Sequence, residues 1–353
     1  MSRRKAASPR ATDPLPPIDL ALQGGGSHGA FTWGVLDRLL QDETLHFAGI
    51  SGTSAGALNA GVMATGWQRG GREGARAALR AFWLAVSARG SCFGSSAAAP
   101  VLGLAGFNLD MNPWYALFNQ WLRAFAPQQF NPLDINPLRE LVHEHVDEKA
   151  MRRSELPLFI TATAVQTGQP RVFSGRKLSH DALLASACLP QLFRPVVVNG
   201  EACWGGSYSG NPALWPLIYE TPASDVLLVR INPLVRPEVP DTAMEIADRV
   251  NEITFNAGLV SEMRAIHFVR KLLAEGRVDA GRYKHLRLHA IGDDAGMAAL
   301  TPSSKLNTDR DFLLRLCALG QAAASRWLAQ HRNDIGRRST LDIESSFLKA
   351  RHA

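Results

Sequence analysis

Gly52-Thr53-Ser54-Ala55-Gly56 contains the residue types that a serine nucleophile needs. The apolar run at residues 47–51 precedes it and an alanine-rich segment follows, so Ser54 is expected on a sharp turn from strand to helix. Gly52 and Gly56 stand two residues either side of the serine, where side chains would crowd the turn. Ala55 and Ala57 then let the helix start close to the strand. Its first amides lack partners and point back toward the turn, where they can assist an anion. A turn without chemistry is the plainer alternative, and the flanking strand and helix weigh against it.

Upstream, Gly24-Gly25-Gly26-Ser27-His28-Gly29-Ala30 lies between Leu20-Ala21-Leu22-Gln23 and a second helical segment. Attack on an ester puts negative charge on the carbonyl oxygen, and glycine amides can approach that charge unobstructed. Gly24, Gly25 and Gly26 are therefore expected to form an oxyanion hole. Glycine-rich loops also hold phosphates. This run ends in neither Gly-Lys-Ser nor Gly-Lys-Thr and is not Gly-x-Gly-x-x-Gly in the dinucleotide sense, which disfavours nucleotide binding. His28 reads as a residue that orients substrate or loop, or as a neutral structural histidine, and not as the general base.

These two turns need a sheet to carry them. Strands are expected at residues 18–22, 47–51, 158–164, 194–198, 225–231 and 285–289, with helices at 29–40 and 55–64. Helical patterns between the strands favour an α/β fold with a mixed or mostly parallel sheet. Trp33, Leu36 and Leu40 give the first helix a face that can cover it. Residues 242–273 read as a long helix, with a break expected near Asn256 or Gly258. Phe312, Leu316, Leu319, Ala323 and Trp327 form another packing stripe. Residues 91–133 form an expected cap. Within it Trp114, Phe118, Trp121 and Phe125 fall along one side of a helix, which suits packing on the main domain, an acyl pocket wall or an interfacial surface.

With 353 residues, 46% of them hydrophobic, the chain can bury a substantial core. Its four cysteines, Cys92, Cys188, Cys203 and Cys317, have no paired spacing, so neither structural zinc nor a disulfide framework is expected. The net charge of +6 would favour approach to an anionic surface but reads first as a solvated exterior, and no aromatic-basic motif for nucleic acid is present. Residues 1–17 read as a disordered leader closed by Pro14, Pro16 and Pro17, without the apolar core of a signal peptide. No apolar run is long enough to cross a bilayer. A cytoplasmic location is expected, and oligomeric state is left open.

Taken together, the glycine loop, the Ser54 elbow and Tyr208-Ser209-Gly210-Asn211-Pro212 resemble the patatin-like phospholipase family from Leu20 to Leu217. The resemblance implies a three-layer α/β/α fold, a serine-aspartate dyad and acyl-ester hydrolysis of lipids, with no cofactor or metal. It also implies a catalytic domain at 18–235 and a helical extension with a further sheet segment at 236–353. His28, Trp114, Phe118 and Tyr208 are the candidate substrate contacts. Phospholipid, triacylglycerol and intracellular polyester all fit as substrates, and peripheral membrane contact is a further expectation.

The family carries its dyad aspartate just before glycine, whereas this chain reads Trp204-Gly205-Gly206-Ser207-Tyr208. Anchoring on Tyr208 to Pro212 puts Gly205 in the aspartate position. A serine hydroxyl is weakly nucleophilic until a base accepts its proton, so activity is expected to be impaired or lost. Deliberate inactivation and natural degeneration are the economical explanations. Recruitment of Asp110, Asp181 or Asp225 is a third, and a non-enzymatic lipid-binding or regulatory module is the competing class.

Overall fold

Ile18-Asp19-Leu20-Ala21-Leu22 is buried at every position, as expected of a parallel strand covered on both faces. It forms β1 in a computed structural model that describes residues 15–90, 102–110, 112–236 and 238–349. The other strands are β2 (Phe47–Thr53), β3 (Leu158–Ala164), β4 (Pro170–Ser174), β5 (Val196–Val198), β6 (Glu201–Gly205), β7 (Asp225–Val229) and β8 (Arg287–Ile291). They form one sheet in the order β5-β6-β3-β2-β1-β7-β8, with β4 also paired to β3. The β1, β2, β3, β7 and β8 contacts are parallel, and β4, β5 and β6 pair antiparallel.

The main helices are α1 (Gly29–Leu40), α2 (Ala55–Gly90), α3 (Pro113–Ala124), α4 (Pro137–His145), α5 (His180–Ser186), α6 (Ala243–Ala274) and α7 (Arg310–His331). Strand alternation divides the core between the two faces of the sheet. Leu20, Leu22 and Leu227 pack with Phe31, Leu36, Phe82 and Phe312. Ala21, Val226 and Leu228 pack with Leu217, Leu259 and Met263. The fold is thus α/β, a central sheet with surrounding helices and further C-terminal helices. The face of α1 is buried as expected, and so is the stripe on α7 apart from half-buried Leu319.

Several boundaries differ from the sequence expectation. The helix after Ser54 continues to Gly90, turning at Gly70 and Gly71, where Gly71 has φ +57°. Glycine permits that redirection without a steric penalty. The strand expected at 194–198 shrinks to Val196–Val198, and the one expected at 285–289 lies at Arg287–Ile291. No break interrupts α6, whose start is fixed by a Thr242–Glu245 capping box. Gly258 serves close packing instead, because a Cβ there would meet Ser209 O at 2.9 Å. At the N-terminus, Leu15 is buried and its N–H donates to Thr44 O at 3.2 Å, so the expected leader does not include it. Residues 1–14, most of the first part of the expected cap and Cys92 lie outside the described residues.

Antiparallel β6 positions the site. β2 pairs with β3 up to Thr53 opposite Thr161, and β6 pairs with the same strand from Gly205 opposite Ala162. β4 occupies the other edge of β3 over these residues. Hence β6 takes the edge that β2 leaves, delivering Gly205 and Gly206 beside Thr53.

Two helices cross almost backbone to backbone on the larger core. A Cβ on Gly34 of α1 would run into the Cys317 carbonyl of α7, and one on Gly320 would run into the Phe31 carbonyl. Backbone atoms cannot swing aside. Gly320→Ala should therefore lower unfolding stability by about 1–3 kcal/mol, read as a reduced urea midpoint at unchanged slope. An unchanged midpoint would show that the helices separate freely.

Candidate active site

Ser54 sits between β2 and α2 with φ +53°, a left-handed conformation that a non-glycine residue adopts at a cost. Glycines on either side make the turn physically accessible. A Cβ on Gly56 would collide with the Leu22 carbonyl, and one on Gly52 would lie 2.7 Å from Gly56 O. The Ser54 N–H donates to Ser186 Oγ at 2.8 Å, and Ser186 donates to Thr161 O at 2.6 Å. Thr53 Oγ1 donates to Gly210 O at 2.8 Å. The Ser54 side chain is half-buried, and its hydroxyl has no hydrogen-bond partner among the described residues.

The glycine loop comes to the same place. A Cβ on Gly24 would lie 2.7 Å from Ser54 Cβ and 3.1 Å from Ser207 Oγ. β1 and β2 are parallel neighbours, so the turns that follow them emerge at one sheet edge, where open α/β sheets bind ligands. Three buried amide side chains hold the loop. Asn211 Oδ1 accepts the Gly24 N–H at 2.7 Å, and Asn232 Nδ2 donates to Gly24 O at 2.7 Å. Gln23 Oε1 accepts the Ile231 and Asn232 amides at 2.9 and 3.0 Å. Since the Gly24 N–H is engaged by Asn211, its role is close approach. The Gly25 and Gly26 amides have no acceptor among the described residues.

His28 does not face Ser54 as a base. Its Nε2 lies 2.8 Å from Ser304 Oγ, which donates its own proton to Thr301 O at 2.7 Å. Nε2 must therefore be the donor. Burial, helped by the fields of Lys305 and Arg236, holds the His28 pKa well below 6.5, so the ring is neutral. Tyr208 stacks edge-on against Phe255, with ring centres 5.1 Å apart, and burial raises its pKa.

Gly205 ends β6, donating its N–H to Cys188 O at 2.7 Å, and its missing Cβ would lie at the same distance from that oxygen. Gly206 is crowded by the Thr161 carbonyl. None of the three substitute aspartates is hydrogen-bonded to Ser54. Asp225 begins β7 at the opposite sheet edge and holds Arg287 at 2.7 Å and His289 at 3.0 Å. Asp110 accepts from Thr301 and Ser303, and Asp181 lies 3.9 Å from Arg139.

The aromatic stripe does not pack on the main domain in the way its spacing suggested. Trp114 is 74% exposed, Trp121 53% and Phe125 43%, while Phe118 is half-buried. Tyr115, off that stripe, is the buried ring of α3. Of the expected substrate contacts, His28 lines a cavity of about 310 Å³ at the ends of β7 and β8, whereas Trp114, Phe118 and Tyr208 do not border it. Sequence reasoning missed Ser186, Asn232 and Lys305, which act on the turns through tertiary contacts without a local motif. Asn211 was visible only as part of the Tyr208–Pro212 run. Among the described residues, no group of three or more potential ligands could hold a metal.

Residues 20–218 match the patatin-like phospholipase family, more than half of the chain, and the chain belongs to that family. Hydrolase chemistry is accordingly the parent activity of its fold. No curated protein sequence matches the chain. It is similar in structure to VipD from Legionella pneumophila, with TM-score 0.41 and 13% identity over 98% of this chain and 78% of that one. A second similar structure is the complex of SpcU with ExoU from the type III secretion system of Pseudomonas aeruginosa, with TM-score 0.28 and 15% identity over 95% and 77% of the chains. A separate crystal structure of the type III effector ExoU gives TM-score 0.28 and 17% identity over 88% and 54%. Among the described residues, no helix is long and apolar enough to cross a membrane.

Neutrality of His28 has a pH signature. Above pH 6.5 the imidazole is uncharged in both states, and below it the unfolded chain takes a proton that the folded chain refuses. Stability is therefore lost as pH falls. Asp19 and Glu262, whose carboxyls burial raises to about 7, have the opposite sign and favour the fold as pH falls from 7. The difference between chains isolates His28: His28→Gln should lose less stability than the parent between about pH 7 and pH 5. Urea titrations at both values measure this, and equal losses would mean that His28 protonates within the fold.

Proposed function

We propose that the chain is a serine acyl-ester hydrolase scaffold of lipase or phospholipase type, built on the three-layer α/β/α patatin arrangement and impaired by Gly205. The observation that carries this reading is the Gly24 turn pressed against Ser54, with Ser54 at positive φ between strand and helix. Ser54 Oγ would attack the acyl carbonyl, and the Gly25 and Gly26 amides would receive the developing oxyanion. The first free amides of α2 add to that field. Among the described residues, no proton acceptor is hydrogen-bonded to the Ser54 hydroxyl. An aspartate at position 205 would supply it; glycine supplies neither charge nor hydrogen bond.

Exposed Trp114, Leu117, Trp121 and Phe125 favour a lipid over a small polar ester. Residues 108–110, which precede α3, are tied to the segment that packs against the glycine loop. Thr301 N donates to Asn108 Oδ1 at 3.0 Å and Leu109 N to Ser303 Oγ at 2.8 Å. Exposed tryptophans of this kind suit a lipid-water boundary. A non-enzymatic lipid-binding module is the second reading, favoured by the Ser54 hydroxyl having no base hydrogen-bonded to it among the described residues.

Restoring the carboxylate tests the first reading against the second. A Cβ at 205 faces the Cys188 carbonyl, so Gly205→Ala should cost about 1–3 kcal/mol of stability and give no turnover. Gly205→Asp should bear a similar cost but raise ester hydrolysis by roughly 10²-fold to 10⁴-fold, the usual worth of general-base assistance. Ser54→Ala in that background should abolish the gain. If Gly205→Asp folds as well as Gly205→Ala and stays inactive against a series of acyl esters, position 205 is not the base position.

A further inference from the structure

At the ends of β7 and β8 lies a cavity of about 310 Å³ that Ser54 does not border. Ile231, Pro233, Leu300 and Phe347 give it an apolar wall, and Arg230, Arg236 and Lys305 bring three cations to it. Both arginines are already neutralised. Arg230 pairs with Asp294 at 2.7 Å, and Arg236 pairs with buried Glu252 at 2.7 Å. The acids of the wall have no charge to spare. Glu252 is shared with Arg249 at 3.2 Å, and Asp293 pairs with Arg326 at 2.9 Å.

Lys305 is left over. Its Nζ donates to Asn232 Oδ1 at 2.9 Å, a neutral acceptor, and lies 5.9 Å from the centre of the Phe255 ring. Among the described residues, no carboxylate lies within ion-pair distance of that amine. The amine is also held in place from both ends. A Cβ on Gly26 would run into the Lys305 carbonyl, so the backbone of the lysine is wedged against the glycine loop. Asn232, which tethers the amine, is buried and fixed by its own N–H to Gln23 Oε1 at 3.0 Å.

An ammonium group has three donors, and Asn232 uses one. Burial pushes the Lys305 pKa down, with Arg236 opposing the charge and Glu252 and Asp248 favouring it. Holding such a group beside an apolar wall is costly, and an anion that met it there would offset the cost. One unpaired amine matches one negative charge. A phosphate dianion would bring a second, for which both arginines are already taken. The volume sits at the lower end of small-molecule sites, which span roughly 300–1,000 Å³, so the remainder of the ligand has to be compact as well as apolar.

We propose that this cavity binds a small monocarboxylate with a compact apolar body, its carboxylate on Lys305 and its body against Ile231, Leu300 and Phe347. The site is separate from the Ser54 turn, and the proposal does not depend on the acyl-ester reading.

The probe is 4-phenylbutyrate, with 4-phenylbutyramide as its uncharged counterpart. In isothermal titration of the full chain the acid should bind about tenfold tighter than the amide or more, of the order of one charge-assisted contact. Acetate, which lacks the apolar body, should bind weaker than 4-phenylbutyrate by about tenfold or more. Lys305→Met should bring the acid down to the affinity of the amide. In the unaltered chain, 4-phenylbutyrate should protect Lys305 from acetic anhydride, read by peptide mass spectrometry, while exposed Lys271 is labelled to the same extent with and without it. Equal affinity for acid and amide, or no protection of Lys305, overturns the proposal whether or not Lys305→Met folds. Phenyl phosphate that binds tighter than 4-phenylbutyrate overturns the monocarboxylate class, and acetate that binds as tightly overturns the apolar half of the site.

Discussion

Backbone packed against the elbow serine, at Gly24 and Ser54, is the constraint on which the other features of the site depend. A turn that must touch another turn has no side chain with which to anchor itself, so its peptide groups have to be held from outside. Gln23, Asn211 and Asn232 do this, and all three are buried. Leaving any such group unpaired would cost about 1–3 kcal/mol, which makes the arrangement strongly specified once formed. The sheet order explains how distant residues can cooperate. β1 lies between β2 and β7, so the loop after β1 meets Ser54 on one side and the segment after β7, with Asn232, on the other.

Charge is distributed along the strands in a way that suits this edge. Asp19 and Asp225 are placed at the starts of β1 and β7 and buried there. Asp225 is held low by His289, Arg287 and the Gly336 N–H against the burial that would raise it, whereas burial lifts Asp19 to about 7 despite the Thr221 hydroxyl. The opposite edge carries glycine amides, Lys305 and paired arginines. Negative charge developing at Ser54 would therefore meet donors and cations, with the buried carboxylates a strand length away. This polarity is of the kind that would stabilise an oxyanion at that edge.

How much was legible beforehand depended on how local the signal was. The Ser54 elbow, the glycine loop, β1, β3 and the burial of Trp33, Leu36 and Leu40 follow from short patterns, and the fold keeps them. Boundaries set by tertiary contact were misread. Gly258 looked like a helix break because glycine weakens isolated helices, yet its missing Cβ admits the Ser209 backbone. The helix expected at 55–64 runs on to Gly70 and Gly71, whose non-helical backbone separates it from a second helical stretch. The stripe of Trp114, Trp121 and Phe125 has the spacing of a buried face, and spacing alone cannot tell a core from an unpartnered surface. Ser186, Asn232 and Lys305 have no motif at all. Their contacts depend on which strands become neighbours, and that information is spread over the whole chain.

The same topology explains why a chain without an acid at position 205 can retain the rest of the site. The placement of residues 205–207 follows from β6 pairing with β3, from the Gly205 N–H bonded to Cys188 O, and from Thr163 Oγ1 donating to Gly205 O at 2.8 Å. Each of these is a main-chain interaction of residue 205, although a Cβ there would lie 2.7 Å from Cys188 O and force that contact to shift. Gly206, by contrast, is fixed by crowding against Thr161, and Asn211 by its bond to Gly24. The turn is thus held by main-chain bonds, by the close fit of Gly206 and by Asn211, with no carboxylate at position 205. A buried carboxylate beside a serine must also be desolvated, so its absence removes a cost from the folded state. The architecture therefore holds this turn beside Ser54 without an acid at position 205, whereas the close contact between Gly24 and Ser54 leaves no room for a side chain.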